Sequence, residues 1–337
     1  MKKNSSLLIL LLSAVLGSTA AKAQTDPHFS QYYAYPLWLN PGLTGAIDGD
    51  YRVTGIYRNQ WNNINNGFAT PGVSADMTTS KNINLGVNLL NQSAAGGAYN
   101  YLNGYVSVAY TGVRFGKEGN HRLSIGISGG VINRKFNPSK FQSGAQWDAV
   151  TNSLNLNIPM TDVLAKNSAM AFDAGAGVMY FDATPGKKVN VFAGFSAFHL
   201  TQPSDPFISG GEDQKLPVRY TLHGGAKINL SETVSLTPNL LYMKQGAAEE
   251  KMAGAYVQLR ATESTDFLVG GNYRFKDALS PYVGVYHKNM VLGVSYDVNT
   301  SDLSKVAGNA NSFEISLTFT GRKSVKTDAV PFVCPRL

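Results

Sequence analysis

Residues 312–320 read SFEISLTFT. Phe313, Ile315, Leu317 and Phe319 are apolar, and Glu314, Ser316 and Thr318 alternate with them. A two-residue period puts successive side chains on opposite faces of a strand, so one face suits oil and the other tolerates water. The segment before it repeats the pattern, with Leu292, Val294, Tyr296 and Val298 set between Gly293, Ser295 and Asp297. Leu123, Ile125, Ile127 and Val131 do so again, as do Phe267, Val269, Tyr273 and Phe275.

Working outward, the same alternation predicts strands over 50–60, 71–79, 82–93, 100–115, 121–134, 168–181, 187–199, 216–229, 233–245, 250–262, 265–276, 280–288, 290–298 and 311–320. That is an even set of 14. Tight connections fall near Ser80-Lys81, Ser231-Glu232, Glu263-Ser264 and Asn289, while 61–70, 135–167, 200–215 and 299–310 are longer. Strands of about ten residues, with short turns on one rim and long loops on the other, are the pattern of an outer-membrane barrel. A bilayer offers no water to unpaired backbone groups, so a spanning sheet must close. The expected fold is therefore all-β, a transmembrane outer-membrane β-barrel of 14 antiparallel strands over 50–320. Aromatics near segment ends, such as Tyr51, Tyr57, Tyr99, Tyr101, Tyr180 and Phe181, fit interfacial girdles and ordinary strand preference alike. Glycines inside strands, among them Gly175 and Gly177, suit curvature or the close approach of a plug or ligand.

Composition agrees. Of 337 residues, 15% are charged and 43% hydrophobic, with 34 glycines and one cysteine. No apolar run of about 20 residues is present, and the mean hydropathy is −0.12, which excludes a bundle of membrane helices. A lone Cys334 excludes a disulfide framework and a cysteine-based zinc site. Residues 1–23 carry Lys2 and Lys3, a short apolar core over 7–17, and Ala21-Lys22-Ala23, which together read as a secretory signal peptide. Its three lysines account for much of the formal +7, which falls to +4 without them. That residue is too mild and scattered to argue for nucleic acid.

Two pieces lie outside the barrel. Residues 24–49 hold Phe29, Tyr32, Tyr33, Tyr35, Pro36, Trp38 and Pro41. So apolar a segment folds into the lumen, lies across the periplasmic mouth, or meets a partner. Residues 321–337 form a basic, then apolar tail. An even strand number places both ends of the chain on one side, the periplasmic one. Loop 135–167 either folds inward as a constriction or outward as a docking surface.

Catalytic constellations are not evident. The five histidines, His28, His121, His199, His223 and His287, form no HExxH pattern. Ser196 and His199 stand three apart on a strand and face opposite sides. Glu249-Glu250 falls in an expected turn. No catalytic residue, cofactor or metal is expected. Inward polar residues such as Asn272, Arg274, Glu314 and Ser316 could instead line a pore, the pattern of a diffusion channel or small-molecule transporter.

The motifs resemble one family. DPHFSQYYAYPLWLNPGLTG at 26–45 and YRNQW at 57–61 look like the N-terminal signature of the PorP/SprF proteins of the type IX secretion and gliding-motility systems. FNPSKF at 136–141, FAGFSAFHLTQPSDPF at 192–207, LPVRYTLHGG at 216–225, SPYVGV at 280–285, SYDVNTSDL at 295–303, FEISLTF at 313–319 and CPRL at 334–337 continue the likeness. One departure is Leu337, where such barrels often end in an aromatic. The resemblance implies a non-enzymatic outer-membrane role: exporting, or holding at the cell surface, an effector or adhesin with a C-terminal sorting domain. A periplasmic peptidoglycan-linked lipoprotein is a second implied partner, in a structural role at a periplasmic ring. On that basis Phe29, Tyr32, Trp38, Trp147, Phe207 and Phe332 are candidate partner contacts. Loops 135–167 and 200–215 are the expected cargo side, with 26–45 and 321–337 periplasmic.

Overall fold

The computed structural model describes residues 26–61, 67–79, 81–140, 144–155, 157–158, 167–204, 215–301 and 311–322. The expected signal peptide, Phe207, Phe332, Cys334 and nearly all of the 321–337 tail lie outside the described residues.

Fourteen antiparallel strands close into one barrel. They are β1 (Tyr51–Gln60), β2 (Phe68–Met77), β3 (Ile83–Ala94), β4 (Tyr99–Phe115), β5 (His121–Phe136), β6 (Ser168–Asp182) and β7 (Val189–Phe198). The circuit continues with β8 (Arg219–Asn229), β9 (Val234–Gln245), β10 (Ala248–Thr262), β11 (Thr265–Arg274), β12 (Ala278–His287), β13 (Met290–Asn299) and β14 (Ser312–Gly321). Closure is made by β1, which pairs with β2 on one side and β14 on the other. The burial is that of a membrane barrel: in β14, Phe313 is 41% exposed and its neighbour Glu314 0%. Apolar side chains thus point outward and polar ones inward.

Some boundaries differ from the sequence reading, for local reasons. Strand β2 begins at Phe68 and runs through Pro71, because the ladder to β3 skips from Ala69↔Ser93 to Gly72↔Leu90, where a missing N–H does little harm. Glu249 and Glu250 belong to β10, not to a turn. Gly246 takes φ 58°, which tightens the connection to two residues and extends both strands. Loop 137–167 carries a small hairpin, Trp147–Asp148 against Ser153–Leu154.

The rims are unequal. Tyr51 faces Gly321 across the seam, so β1 starts and β14 ends on one rim. That rim bears the connections 78–82, 116–120, 183–188, 230–233, 263–264 and 288–289. The other bears 61–67, 137–167, 199–218 and 300–311, together with the tight turns 95–98, 246–247 and 275–277.

Residues 26–47 lie inside the barrel, folded as short helical turns at Tyr32–Ala34, Pro36–Leu39 and Pro41–Leu43. The Asp26 amide donates to the side chain of Gln245, the last residue of β9, at 2.8 Å on the long-loop rim. At the other end Gly45 donates to Asp76 at 2.7 Å, and Asp48 meets Arg322 at 2.7 Å on the short-turn rim. The segment therefore threads the lumen from rim to rim. Both barrel ends share a rim as expected, but Asp26 sits at the opposite one. Strand parity fixes only where β1 starts and β14 ends; it does not govern a segment that runs back through the interior.

A charge on the outer face would meet hydrocarbon. Ile127, in the middle of β5, is 63% exposed. Ile127→Lys is expected to cost about 2–4 kcal/mol in guanidinium unfolding from liposomes, whereas Ile127→Leu should be near neutral.

Candidate functional site

The lumenal wall is polar by strand alternation, and most of its polar groups are deeply buried. They need partners, since an unpaired buried charge is costly. Near the long-loop rim, Arg58 of β1 stands opposite Glu314 of β14 in register. Arg58 donates to Glu314 and, at 2.8 Å, to Asp297 of β13, which also accepts from Arg274 of β11 at 2.8 Å. The N-terminal segment completes this cluster. Glu314 accepts the backbone amides of Ser30 and Gln31 at 2.6 and 2.8 Å, and the Ser30 hydroxyl donates to Asp297 at 2.7 Å. Asn272 donates to the Ser30 carbonyl at 3.0 Å, and Ser316 to the Gln31 side chain at 2.7 Å. Asn272, Arg274, Glu314 and Ser316, the expected pore lining, thus all hold the segment.

A second cluster grips its leading end. The Asp26 carboxylate lies 2.6 Å from His199 Nε2 and accepts from Arg219 at 2.8 Å. His199 Nδ1 lies 2.7 Å from Asp173, which also accepts from the Tyr105 hydroxyl. Arg219 donates further to the Trp38 carbonyl at 2.9 Å and lies over the Trp38 and Phe198 rings at 4.1 and 4.6 Å. Burial opposes ionisation of Asp26, but the charges of His199 and Arg219 outweigh it and hold the carboxyl well below the usual range. Burial likewise disfavours the charged imidazole of His199, yet the Asp26 charge and the hydrogen bonds to Asp173 and Asp26 raise its pKa above the ordinary 6.5.

Further along, Asn40 anchors the second bend. Its amide donates to the Val178 carbonyl at 2.9 Å while its oxygen accepts from Gly42 at 2.8 Å. Bare backbone makes this approach possible: a Cβ on Gly177 would lie 2.0 Å from Asn40, and one on Gly126 2.2 Å from the Pro41 carbonyl. Ser196, paired in sequence with His199, instead donates to the Leu39 carbonyl at 2.7 Å.

The candidate contacts separate accordingly. Phe29, Tyr32 and Trp38 are 2%, 6% and 5% exposed, packed inside the barrel with Tyr35, Tyr105 and Phe198. In this state they face the wall. Trp147, at the base of the small hairpin on the long-loop rim, is half exposed, and Val150 at its tip almost fully so. The sequence reading passed over Asp26, Ser30, Arg58, Asp173, Arg219 and Asp297. A usable signal was present: charged residues at inward positions of otherwise apolar strands, together with an N-terminal segment rich in backbone-bonding residues.

Two outcomes follow. Removing one partner of the buried Arg58 cluster strands carboxylates, so Arg58→Met is expected to destabilise the folded protein by about 3–5 kcal/mol in chemical denaturation. For His199, a raised pKa means its contribution is complete below pH 6.5 and is lost as pH rises through the folded value. A neutral ring donates only one N–H. Amide-exchange protection of residues 26–40, corrected for intrinsic rates, should fall as pH rises, and His199→Gln should flatten that dependence.

The family described as type IX secretion system membrane protein PorP/SprF matches residues 21–319. No curated protein matches the chain. Among solved structures, the Ralstonia pickettii toluene transporter TbuX shares 10% identity at TM-score 0.49, over 88% of this chain and 95% of its own. The Pseudomonas putida toluene transporter TodX gives 10% and 0.49, over 87% and 94%. The CymD monoaromatic hydrocarbon channel gives 13% and 0.47, over 89% and 96%.

Proposed function

Since this chain belongs to the PorP/SprF family of type IX secretion system membrane proteins, we propose that it is a plugged outer-membrane barrel dedicated to one protein partner. The partner is an exported effector or adhesin with a C-terminal sorting domain, which the barrel helps to export or retains at the surface. The observation that carries this reading is the lumen: inward polar residues that would line a diffusion path are engaged by residues 26–47. A solute channel needs those groups free.

Barrels of this type turn tightly on the periplasmic side and carry longer loops outside. The rim with Tyr51 and Gly321 is then periplasmic, and residues 1–23 direct export. Loop 137–167, with exposed Trp147, and connection 199–218 face the cargo. Recognition there needs no catalytic group; strand-edge pairing and aromatic packing suffice. The tail beyond Arg322 leaves from the periplasmic rim, where a peptidoglycan-linked lipoprotein would be met.

Deleting the gene and quantifying surface proteins tests the proposal. One sorting-domain protein should be lost from the surface while the rest of the surface proteome stays. Unchanged export and retention of every such protein would sink it. In planar bilayers the purified barrel should be largely silent, and a large steady conductance would favour a transporter instead.

A further inference from the structure

The cluster around Asp26 has an uneven origin. His199 is the first residue after β7, and Arg219 is the first residue of β8. They are the two feet of one connection, 199–218, on the long-loop rim. Both feet hold the same carboxylate, and Arg219 adds the Trp38 carbonyl and ring. His199 does so from a left-handed backbone, φ 60°, that a non-glycine residue adopts only when its surroundings hold it there.

Above the feet the connection narrows to a paired neck. Leu216 donates to the Pro203 carbonyl at 2.8 Å, and Ser204 bridges Lys215. The neck is tied to β6 by Thr201, whose hydroxyl lies 2.9 Å from Asp173 Oδ1 and 3.0 Å from the Phe172 carbonyl. Asp173 Oδ2 in turn meets His199. A hydrogen-bonded chain therefore runs from the exposed neck, through Thr201, Asp173 and His199, to Asp26 at the head of the plug. The Ser30–Glu314 cluster is built from strand residues, and there Arg274 reaches Asp277 in the tight turn 275–277 rather than a long connection.

We propose that His199 and Arg219 form a clasp that couples the neck of connection 199–218 to the plug, so that displacing the neck releases the plug's leading end. Besides the Tyr101 hydroxyl of β4, which donates to it at 3.3 Å, the Asp26 carboxylate is held by its ion pairs to these two feet. If the neck shifts outward, the carboxylate loses both at once, and Trp38 loses its guanidinium lid. The plug then opens from the long-loop rim, while Gly45–Asp76 and Asp48–Arg322 keep it attached at the other. The regulatory meaning rests on the reading of this rim as the cargo side.

The test uses the full-length protein in planar bilayers with no partner present. The readout is the frequency of conductance events, and heat-modifiable gel mobility serves as the control for folding. His199→Gln and Arg219→Gln are expected to raise event frequency about tenfold over wild type, the loss of a charge-assisted bond. Thr201→Val, which removes the hydroxyl's bonds to Phe172 and Asp173 of β6, should raise it severalfold. Arg260→Gln, exposed on β10 near the opposite rim, should not. The proposal is overturned if the clasp variants are folded and as silent as wild type. It is also overturned if Thr201→Val stays silent while His199→Gln opens, for the clasp would then be uncoupled from the neck. Because no cargo is present, either failure leaves the secretion reading intact, and failure of the deletion experiment leaves the clasp intact.

Discussion

Charged side chains that point into a narrow protein interior must be met by other charges or by backbone. Here Arg58, Arg274, Asp297 and Glu314 project inward because strand alternation leaves them no other direction. Water would serve them in an open pore. Instead, the amides of Ser30 and Gln31 and the Ser30 hydroxyl complete their coordination. The barrel wall and the N-terminal segment thus satisfy each other. Apart, each would lose by it: the ion-paired wall carboxylates would forfeit the Ser30 and Gln31 donors, and the segment would expose Phe29, Tyr35 and Trp38 to water.

The same mutual need orders the interior from rim to rim. At the long-loop end Asp26 is caught between His199 and Arg219. In the middle, aromatic packing and the glycine gaps at Gly126 and Gly177 let the Asn40 bend sit against bare strand backbone. At the short-turn end Asp76 joins Arg52 to the Gly45 amide. Polar grips at both ends with an apolar middle suit a segment that stays attached at one end while the other is released.

Much of this was legible in the sequence, and the limits are physical. The alternation in 312–320 and its relatives specified every barrel strand, because outward residues must meet lipid and a period of two cannot be mistaken over ten residues. Boundaries slipped at Pro71 and at Glu249-Glu250, where a skipped ladder pair and a two-residue turn extend strands beyond their usual signals. The aromatic N-terminal segment was recognisable as something to be buried, with the lumen among its destinations. Its direction was not, since nothing local in DPHFSQYYAYPLW says which rim Asp26 will reach. The clasp was likewise hidden. His199 and Arg219 are 20 positions apart in sequence and become neighbours only because β7 and β8 pair. Ser196 and His199 read as facing opposite sides of a strand, but both reach the plug, because His199 leaves the end of β7 with a left-handed backbone.

The central claim is that residues 26–47 occupy the lumen in the native membrane. Thr44 and Ser107 join the segment to β4, with their hydroxyl oxygens 2.9 Å apart. Cysteines at both positions are close enough for a disulfide, and Cys334→Ser removes the native thiol. In outer membranes from cells carrying Thr44→Cys, Ser107→Cys and Cys334→Ser, mild oxidation should crosslink nearly all of the protein, read as a mobility shift on non-reducing gels. Two thiols that stay free and react with a water-soluble maleimide would contradict a plugged barrel.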